Sequence, residues 1–376
     1  MNVRILQVTA ALEQGGVERG TTEMAAFIVS QGAQSFVASQ GGRLVEALEN
    51  NGSKHFLLPL ARRNPVAILF SAFQLQKLIR SEKIDLVHAR SRAPAWAAFF
   101  ACKLTGVKMV TTFHGTHRIQ NRIKKLYNSV MVRGERVIAI SGFIKNHIIE
   151  NYAVKEERID IAPRGFDPVV FNPDLISNEA RHKLKQSLHL TTVGEKVISL
   201  PGRFTRWKGQ PLFLEALSRI KELSWQALLI GGAGKKSAYD NELKALVKKM
   251  GIEARVKFLG DQRDIVPYYA ISDLVVSVST EPEAFGRVAV EAQAMAKPII
   301  ASAHGGSLET VKDGETGWLF ANGDVVDLAS KLRYALSEKV DLAEIGALGR
   351  QWVAETYTID KMCQSEWNAY MKVLAP

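Results

Sequence analysis

Apolar residues are distributed along the chain in two alternating rhythms. Short runs rich in Val, Ile, Leu and Phe, namely "VRILQVTA", "SFVASQ", "KHFLLPL", "DLVHA", "KMVTTFH" and "RVIAIS", stand between segments whose apolar positions recur every three to four residues. Strand and helix in turn build βαβ units, and therefore parallel sheets. A looser stretch, "APRGFDPVVFNPDLISN" (162–178), contains three prolines and no sustained period, and is the expected linker. The rhythm then resumes with "KVISLPG", "WQALLIGG", "RVKFLG", "DLVVSVS", "KPIIAS" and "GWLF".

The pattern predicts the α/β class, with two Rossmann-like domains. The first covers 1–168 and regains a returning C-terminal helix at 358–376; the second covers 169–357. Met362, Trp367, Tyr370, Met371 and Leu374 give that last helix an apolar face with which to cross back onto the first domain. Ligands of open α/β sheets sit at the carboxyl ends of strands, which makes the cleft between the domains the expected site. No Gly-x-Gly-x-x-Gly follows either opening strand, since the first loop offers only Gly15, Gly16 and Gly20. A dinucleotide-dependent dehydrogenase is thereby disfavoured.

With 376 residues and 47% hydrophobic composition, the chain can bury one core in each domain. Its two cysteines, Cys102 and Cys363, are too few and too far apart for a disulfide framework or a metal site, which fits a reducing compartment. The opening "MNVRILQVTA" lacks the longer apolar core and cleavage site of a signal peptide. "APAWAAFFAC" (93–102), the longest apolar stretch, is half of the roughly 20 residues needed to span a bilayer. A cytoplasmic protein without a membrane span is expected.

The net charge of +11 is lopsided: residues 1–168 hold 23 Lys and Arg against 13 Asp and Glu, and the remainder 26 against 25. The first half is therefore expected to meet an anionic partner: nucleic acid, a membrane surface or an acidic substrate.

Candidate chemistry concentrates in "PEAFGRVAVEA" (282–292). A helix starting near Gly286 would put Glu283 before its first turn and Glu291 two turns in, about 12 Å apart at 1.5 Å per residue. Helix N-terminal N–H groups can hold a diphosphate, with Gly286 allowing close approach, while the two acids accept hydrogen bonds from hydroxyls on either side. A nucleoside diphosphate sugar has that shape.

The surrounding "EPEAFGRVAVEAQAMAKPIIASAHGGSLETVKDGETGWLF" resembles the donor-binding E-x7-E region of family 4 retaining glycosyltransferases of the GT-B fold. "GGVERG", "TFHG", "ISGFIKNHI", "APRGFD", "PGRFTRWKG" and "LIGGAG" fall in that family's order, so the resemblance spans the whole chain. It implies that Arg203 and Lys208 neutralise the donor diphosphate in place of a metal ion, as charge accumulates on the leaving group. Glu291 matches the position holding the ribose hydroxyls. Glu283 matches one near the transferred sugar, beside the main-chain N–H groups of Ala284, Phe285, Gly286, Arg287 and Val288; whether it attacks directly stays open. Gly16, Gly231 and Gly232 match donor-side backbone positions, and His114 one that contacts the sugar or its phosphate. No metal and no cofactor beyond the UDP- or GDP-linked donor is implied. Arg164 stands where many relatives carry Asn, with its role open between substrate and interdomain surface.

"RIQNRIKKLYNSVMVRGER" (118–136) combines Arg118, Arg122, Lys124, Lys125 and Arg133 with an apolar stripe of Ile119, Ile123, Leu126, Tyr127 and Val130. It resembles an interfacial basic helix, and with Arg62, Arg63, Arg90 and Arg92 would suit an anionic leaflet or a phosphorylated glycolipid. Packing of the stripe on the sheet is the competing expectation. No recognition motif or array of aromatics accompanies these cations, so nucleic acid is not expected. The expected function is retaining, metal-independent transfer of a hexose to a lipid-linked, lipopolysaccharide-type or other saccharide acceptor, with peripheral attachment to the cytoplasmic membrane. The alternatives are a GT-B nucleotide-sugar epimerase and a non-catalytic sugar-nucleotide-binding scaffold.

Overall fold

The computed structural model describes every residue except 1, 2, 14, 118, 191, 193, 233–237 and 376. The chain divides into two compact units, Met1–Gly165 with Ile359–Pro376 and Phe166–Thr358.

Unit 1 contains β1 (Arg4–Val8), β2 (Gln34–Ser39), β3 (Lys54–Leu57), β4 (Leu86–Ala89), β5 (Lys108–Phe113), β6 (Arg136–Ala139) and β7 (Ile159–Ile161). They form one parallel sheet in the order β3-β2-β1-β4-β5-β6-β7. Every residue of β4 is buried, as a central parallel strand covered on both faces must be. The last helix, Ile359–Leu374, shares a core with β1, β4 and the helix Gly16–Ser30 through Met362, Trp367 and Tyr370. Strand β7 was not foreseen. It is three residues long and pairs with β6, and its middle residue, Asp160, is charged, the carboxylate accepting from Arg136 and from Lys372 Nζ at 2.6 Å, so no apolar period marks it.

Unit 2 contains β8 (Lys196–Pro201), β9 (Trp225–Ile230), β10 (Val256–Gly260), β11 (Leu274–Ser277), β12 (Ile299–Ser302) and β13 (Gly317–Phe320). Its parallel sheet has the order β10-β9-β8-β11-β12-β13. Phe213, Leu217, Leu328 and Leu332 belong to one buried cluster on the sheet, and Leu190, Leu228 and Ile271 to another.

Each sheet winds outward from its first strand in both directions. The crevice between β1 and β4 in unit 1, and between β8 and β11 in unit 2, is a topological switch point where α/β folds bind ligands.

Candidate active site

In unit 2 the loop after β8 carries Arg203 and Lys208, and the loop after β11 carries Glu283. The switch point brings these loops together, and backbone contacts sew them: Thr280 N donates to Trp207 O at 2.7 Å, and Gly306 N, from the loop after β12, donates to Glu283 O at 2.8 Å. Gly209 has a φ of 71°, and a Cβ there would fall 2.0 Å from Val278 O, so only glycine admits this approach. Gly231 serves the same purpose behind Arg203, where a Cβ would meet Gly202 O at 2.1 Å. Gly232 O accepts from Phe204 N at 3.0 Å. Ala233 and Gly234 of "LIGGAG" lie outside the described residues.

Lys208 Nζ donates to Glu283 Oε1 as a salt bridge whose side chains retain 17% and 15% exposure. Ser279 Oγ donates to the same oxygen at 2.5 Å, and the Lys208 ammonium lies 4.5 Å from the Trp207 ring centre. His304 Nε2 donates to Ser279 O at 2.7 Å, fixing the segment that presents the serine. The cation and the acid expected to serve phosphate and sugar are thus already paired, and an incoming phosphate would have to compete with a carboxylate for Lys208. Arg203 is exposed on the same loop, and among the described residues its guanidinium has no hydrogen-bond partner or ion pair.

The helix Arg287–Ala294 starts at Gly286, which has a φ of 90°. Its first-turn N–H groups lack intrahelical acceptors and make the N-terminus suited to an anion. Glu291 sits four residues after Arg287, just over one turn in rather than the expected two. Tyr269 Oη donates to its Oε2 at 3.1 Å, and Arg287 Nε lies 3.3 Å from Oε1. Tyr269 is fully buried; burial first, and then the Glu291 charge, hold its hydroxyl well above the usual range, so it stays a donor. Phe285 is buried edge-on against Tyr357, at 5.4 Å between ring centres, so its side chain serves packing. Ala284, Arg287 and Val288 are half-buried. Ser279, Trp207, Tyr269 and His304 were missed in the sequence. Their spacing carries no signal, because four separate loops and helices bring them in.

Gly16 and His114 belong to unit 1. Gly16 opens the helix Gly16–Ser30, with no side-chain cap at Gly15. His114 follows β5, and its Nδ1 accepts from Arg164 Nη2 at 2.8 Å. Because a guanidinium can only donate, the ring proton is on Nε2. Burial, then the charges of Arg164 and Arg90, hold the imidazole well below its ordinary pKa, so His114 is a neutral Nε2–H donor. Nε2 is itself buried, with no hydrogen-bond partner among the described residues. Arg164 is not a surface cation: it is buried, and a Cβ on Gly20 would lie 2.3 Å from its Nη1.

Two expectations about the basic surface need correction. Arg90, counted with the membrane-facing cations, is 1% exposed: its guanidinium forms a buried pair with both carboxylate oxygens of Glu366, and Nε donates to Gln7 Oε1 at 2.6 Å. It cannot reach a surface. The expected helix over 118–136 is a single short one, Arg122–Asn128, capped by Asn121. Its stripe divides: Ile123 is 80% and Leu126 59% exposed, whereas Val130 is buried in the following turn. Arg122 and Lys125 are exposed, Lys124 is half-buried beside the Tyr127 ring, and Arg118 lies outside the described residues.

A second apolar face was not anticipated. The helix Pro65–Ser81 packs against Arg92–Thr105 and buries Ile68, Leu75 and Leu78, yet also exposes Val66, Leu69, Phe70 and Phe73 directly after Arg62 and Arg63. A helix apolar on two sides reads in sequence as simply buried. Among the described residues no helix is long and apolar enough to cross a membrane, and no group of three or more His, Cys, Asp or Glu is placed to hold a metal ion.

Two parallel-sheet α/β units, one with an acid and base cluster at its switch point, define the GT-B class of glycosyltransferases. A solved glycosyltransferase from Rickettsia africae has a TM-score of 0.92 at 35% identity, covering 100% of this chain and 99% of that one. HepE of Anabaena, solved in complex with UDP and glucose, gives 0.82 at 25% identity over 98% of this chain and 99% of its own. Among curated relatives, the N-acetyl-alpha-D-glucosaminyl L-malate synthase of Bacillus anthracis is 27% identical over 311 residues, 81% of this chain and 78% of the relative. The family model "Glycosyl transferases group 1" matches residues 183–352, and "Glycosyltransferase Family 4" matches 14–170. The chain belongs to this group 1, family 4 glycosyltransferase family and is a transferase enzyme.

Proposed function

We propose that the chain is a retaining, metal-independent hexosyltransferase that uses a UDP- or GDP-linked sugar and glycosylates a glycolipid or lipopolysaccharide-type saccharide. The observation that carries the reading is the Lys208–Glu283 pair at the β8/β11 switch point, with Arg203 on the same loop. Two cations and a helix N-terminus suit a diphosphate leaving group, and the acids at Glu283 and Glu291 suit sugar and ribose hydroxyls. The UDP and glucose bound by HepE support a uridine nucleotide as donor.

In the reaction the bond from the anomeric carbon to the diphosphate breaks as the bond to the acceptor oxygen forms on the same face. The hydroxyl proton passes to the departing phosphate, while Lys208 leaves Glu283 for the growing phosphate charge. Glu283, released, accepts from the sugar. His114, fixed as an Nε2–H donor, serves a sugar or phosphate oxygen. Gly231, Gly232 and the main chain of 284–288 line the donor.

Peripheral attachment to an anionic leaflet at the cytoplasmic face belongs to the same proposal. Arg122 and Lys125, together with the exposed apolar residues of Pro65–Ser81 beside Arg62 and Arg63, support it.

Thermal shift with UDP, GDP, ADP and their sugars identifies the donor, since stabilisation grows with ligand over Kd. NMR of the product should show the donor's anomeric configuration, in the presence or absence of EDTA. An inverted product, or activity lost on chelation, would overturn the corresponding part. Co-sedimentation with anionic vesicles tests attachment, with indifference to lipid charge counting against it.

A further inference from the structure

Arg164 follows β7 in unit 1 and is only 7% exposed. Three elements close on its guanidinium. His114, directly after β5, accepts from Nη2 through Nδ1 at 2.8 Å. Met362, on the returning helix, receives Nη1 through its sulfur at 3.5 Å. Gly20, buried inside the helix Gly16–Ser30, lies against the same group, and a Cβ there would come 2.3 Å from Nη1 and 3.2 Å from Cζ. Glycine inside a helix costs stability relative to alanine. One placed where a guanidinium fills the space of the missing side chain marks room made for that cation.

The contact decides what His114 can do. A guanidinium only donates, so Nδ1 can only accept and the single ring proton stays on Nε2. Nε2 is buried with no hydrogen-bond partner among the described residues, which is unusual for an N–H and leaves its proton to a ligand oxygen. Charging the ring would put a second proton on Nδ1, aimed at the guanidinium. The surroundings oppose it as well: after burial and Arg164, the charge of Arg90 and then His88 and His117 all disfavour a further proton. On the last helix, Glu366 is already committed to Arg90, and Tyr370 Oη lies 2.6 Å from His88 Nδ1.

We propose that Arg164 is a positioning residue for the transfer reaction: acting through Nδ1, it holds His114 in its Nε2–H tautomer, so that a donated hydrogen bond meets the substrate oxygen, and Gly20 makes the space that admits it. The inference deepens the role given above to His114 and rests on that reading. His114 keeps its proton throughout and serves only as a hydrogen-bond donor.

Nitrogen-15 NMR of the imidazoles, with His114 assigned through His114→Ala, reads the tautomer directly. The wild type should show Nε2 protonated and Nδ1 bare from about pH 5.5 to 8, whereas Arg164→Met should mix the tautomers or let the ring charge as pH falls toward about 6.5. Release of UDP from UDP-glucose supplies the kinetics. Arg164→Met should lower kcat by about tenfold to 100-fold, change KM by less than about threefold, and gain an acid limb in its pH profile that the wild type lacks. Arg164→Lys keeps a donor for Nδ1 and should recover most of the loss. Gly20→Ala leaves both partners in the chain and introduces the better helix former, while its methyl displaces the flexible end of Arg164. It should reproduce the tautomer change and the loss of kcat at an unchanged melting temperature, and it carries the comparison should Arg164→Met fail to fold. In a His114→Ala background, Arg164→Met should cost less than about twofold more, because its effect passes through that ring. A merely structural arginine would give additive losses and leave the tautomer alone. The proposal is overturned by a single Nε2–H tautomer in Arg164→Met and Gly20→Ala, or by additive losses. If the wild type releases no UDP, the donor reading falls and the tautomer alone decides: unchanged in these variants it sinks the inference, changed it sustains it.

Discussion

Units 1 and 2 are built on the same winding, yet they handle charge in opposite ways. In unit 2 two of the cations at the switch point are paired in advance, Lys208 with Glu283 across loops closed by glycines and Arg287 with Glu291 on the helix that follows, with Arg203 exposed beside them. In unit 1 a pair of the same chemistry, Arg90 with Glu366, is buried completely between β4 and the returning helix. A partly exposed pair can be opened by a competing anion at lower cost, whereas a fully buried pair cannot be opened without stranding a charge. The first arrangement suits a leaving group whose charge changes during reaction. The second suits a fixed scaffold.

The largest effect should come from breaking the buried pair. Arg90→Ala or Glu366→Ala alone should cost about 3–5 kcal/mol, because each leaves an unpaired buried charge. Replacing both by Met should cost far less, and equal losses in single and double variants would contradict the contrast. Denaturant unfolding followed by hydrogen exchange should place the loss in unit 1.

Lys208→Ala should lower turnover about 100- to 1,000-fold with the fold intact, the range for removing one preorganised charge from a transition state. Arg203→Ala should fall in the same range, and unchanged rates in either variant would remove the assigned role. Because Lys208 also binds Glu283, Lys208→Ala combined with Glu283→Gln should lose no more than the worse single variant.

Acid should then separate the units. His88, His114 and His117 are all held below their ordinary pKa, chiefly by burial, His117 to about 3. The unfolded chain binds these protons from about pH 6.5 downward and the folded chain does not. Stability is therefore complete above 6.5 and falls as pH drops toward 3, by up to about 1.4 kcal/mol per pH unit for each histidine. All three lie in unit 1, so exchange protection should be lost there first. Loss beginning in unit 2 would refute this.

The smallest change is Tyr269→Phe. It removes one donor to Glu291 and should raise the nucleotide Kd about two- to tenfold, matching a single hydrogen bond, with little change in saturated turnover.

Much of the site could be read from the chain because its parts are local. Glu283 and Glu291 are eight residues apart on one loop and helix, and Arg203 and Lys208 share one loop, so spacing alone grouped them. Arg90 could not be read that way. Next to Arg92 in sequence it looks like one more surface cation, and only a helix 276 residues further on turns it into a buried one. The same holds for Arg164, whose contact with His114 spans fifty residues.

By itself, then, the sequence determined the alternation of strands and helices, the parallel sheets that follow from it, and the local grouping of Arg203 with Lys208 and of Glu283 with Glu291. Those depend on apolar periodicity and on neighbours within a few residues. Only the tertiary structure decided which cations are buried, which are paired and which remain free to meet an anion. Burial and ion pairing depend on what the rest of the chain brings alongside, and a residue's type is the same on the page whether its partner is Glu366 or water.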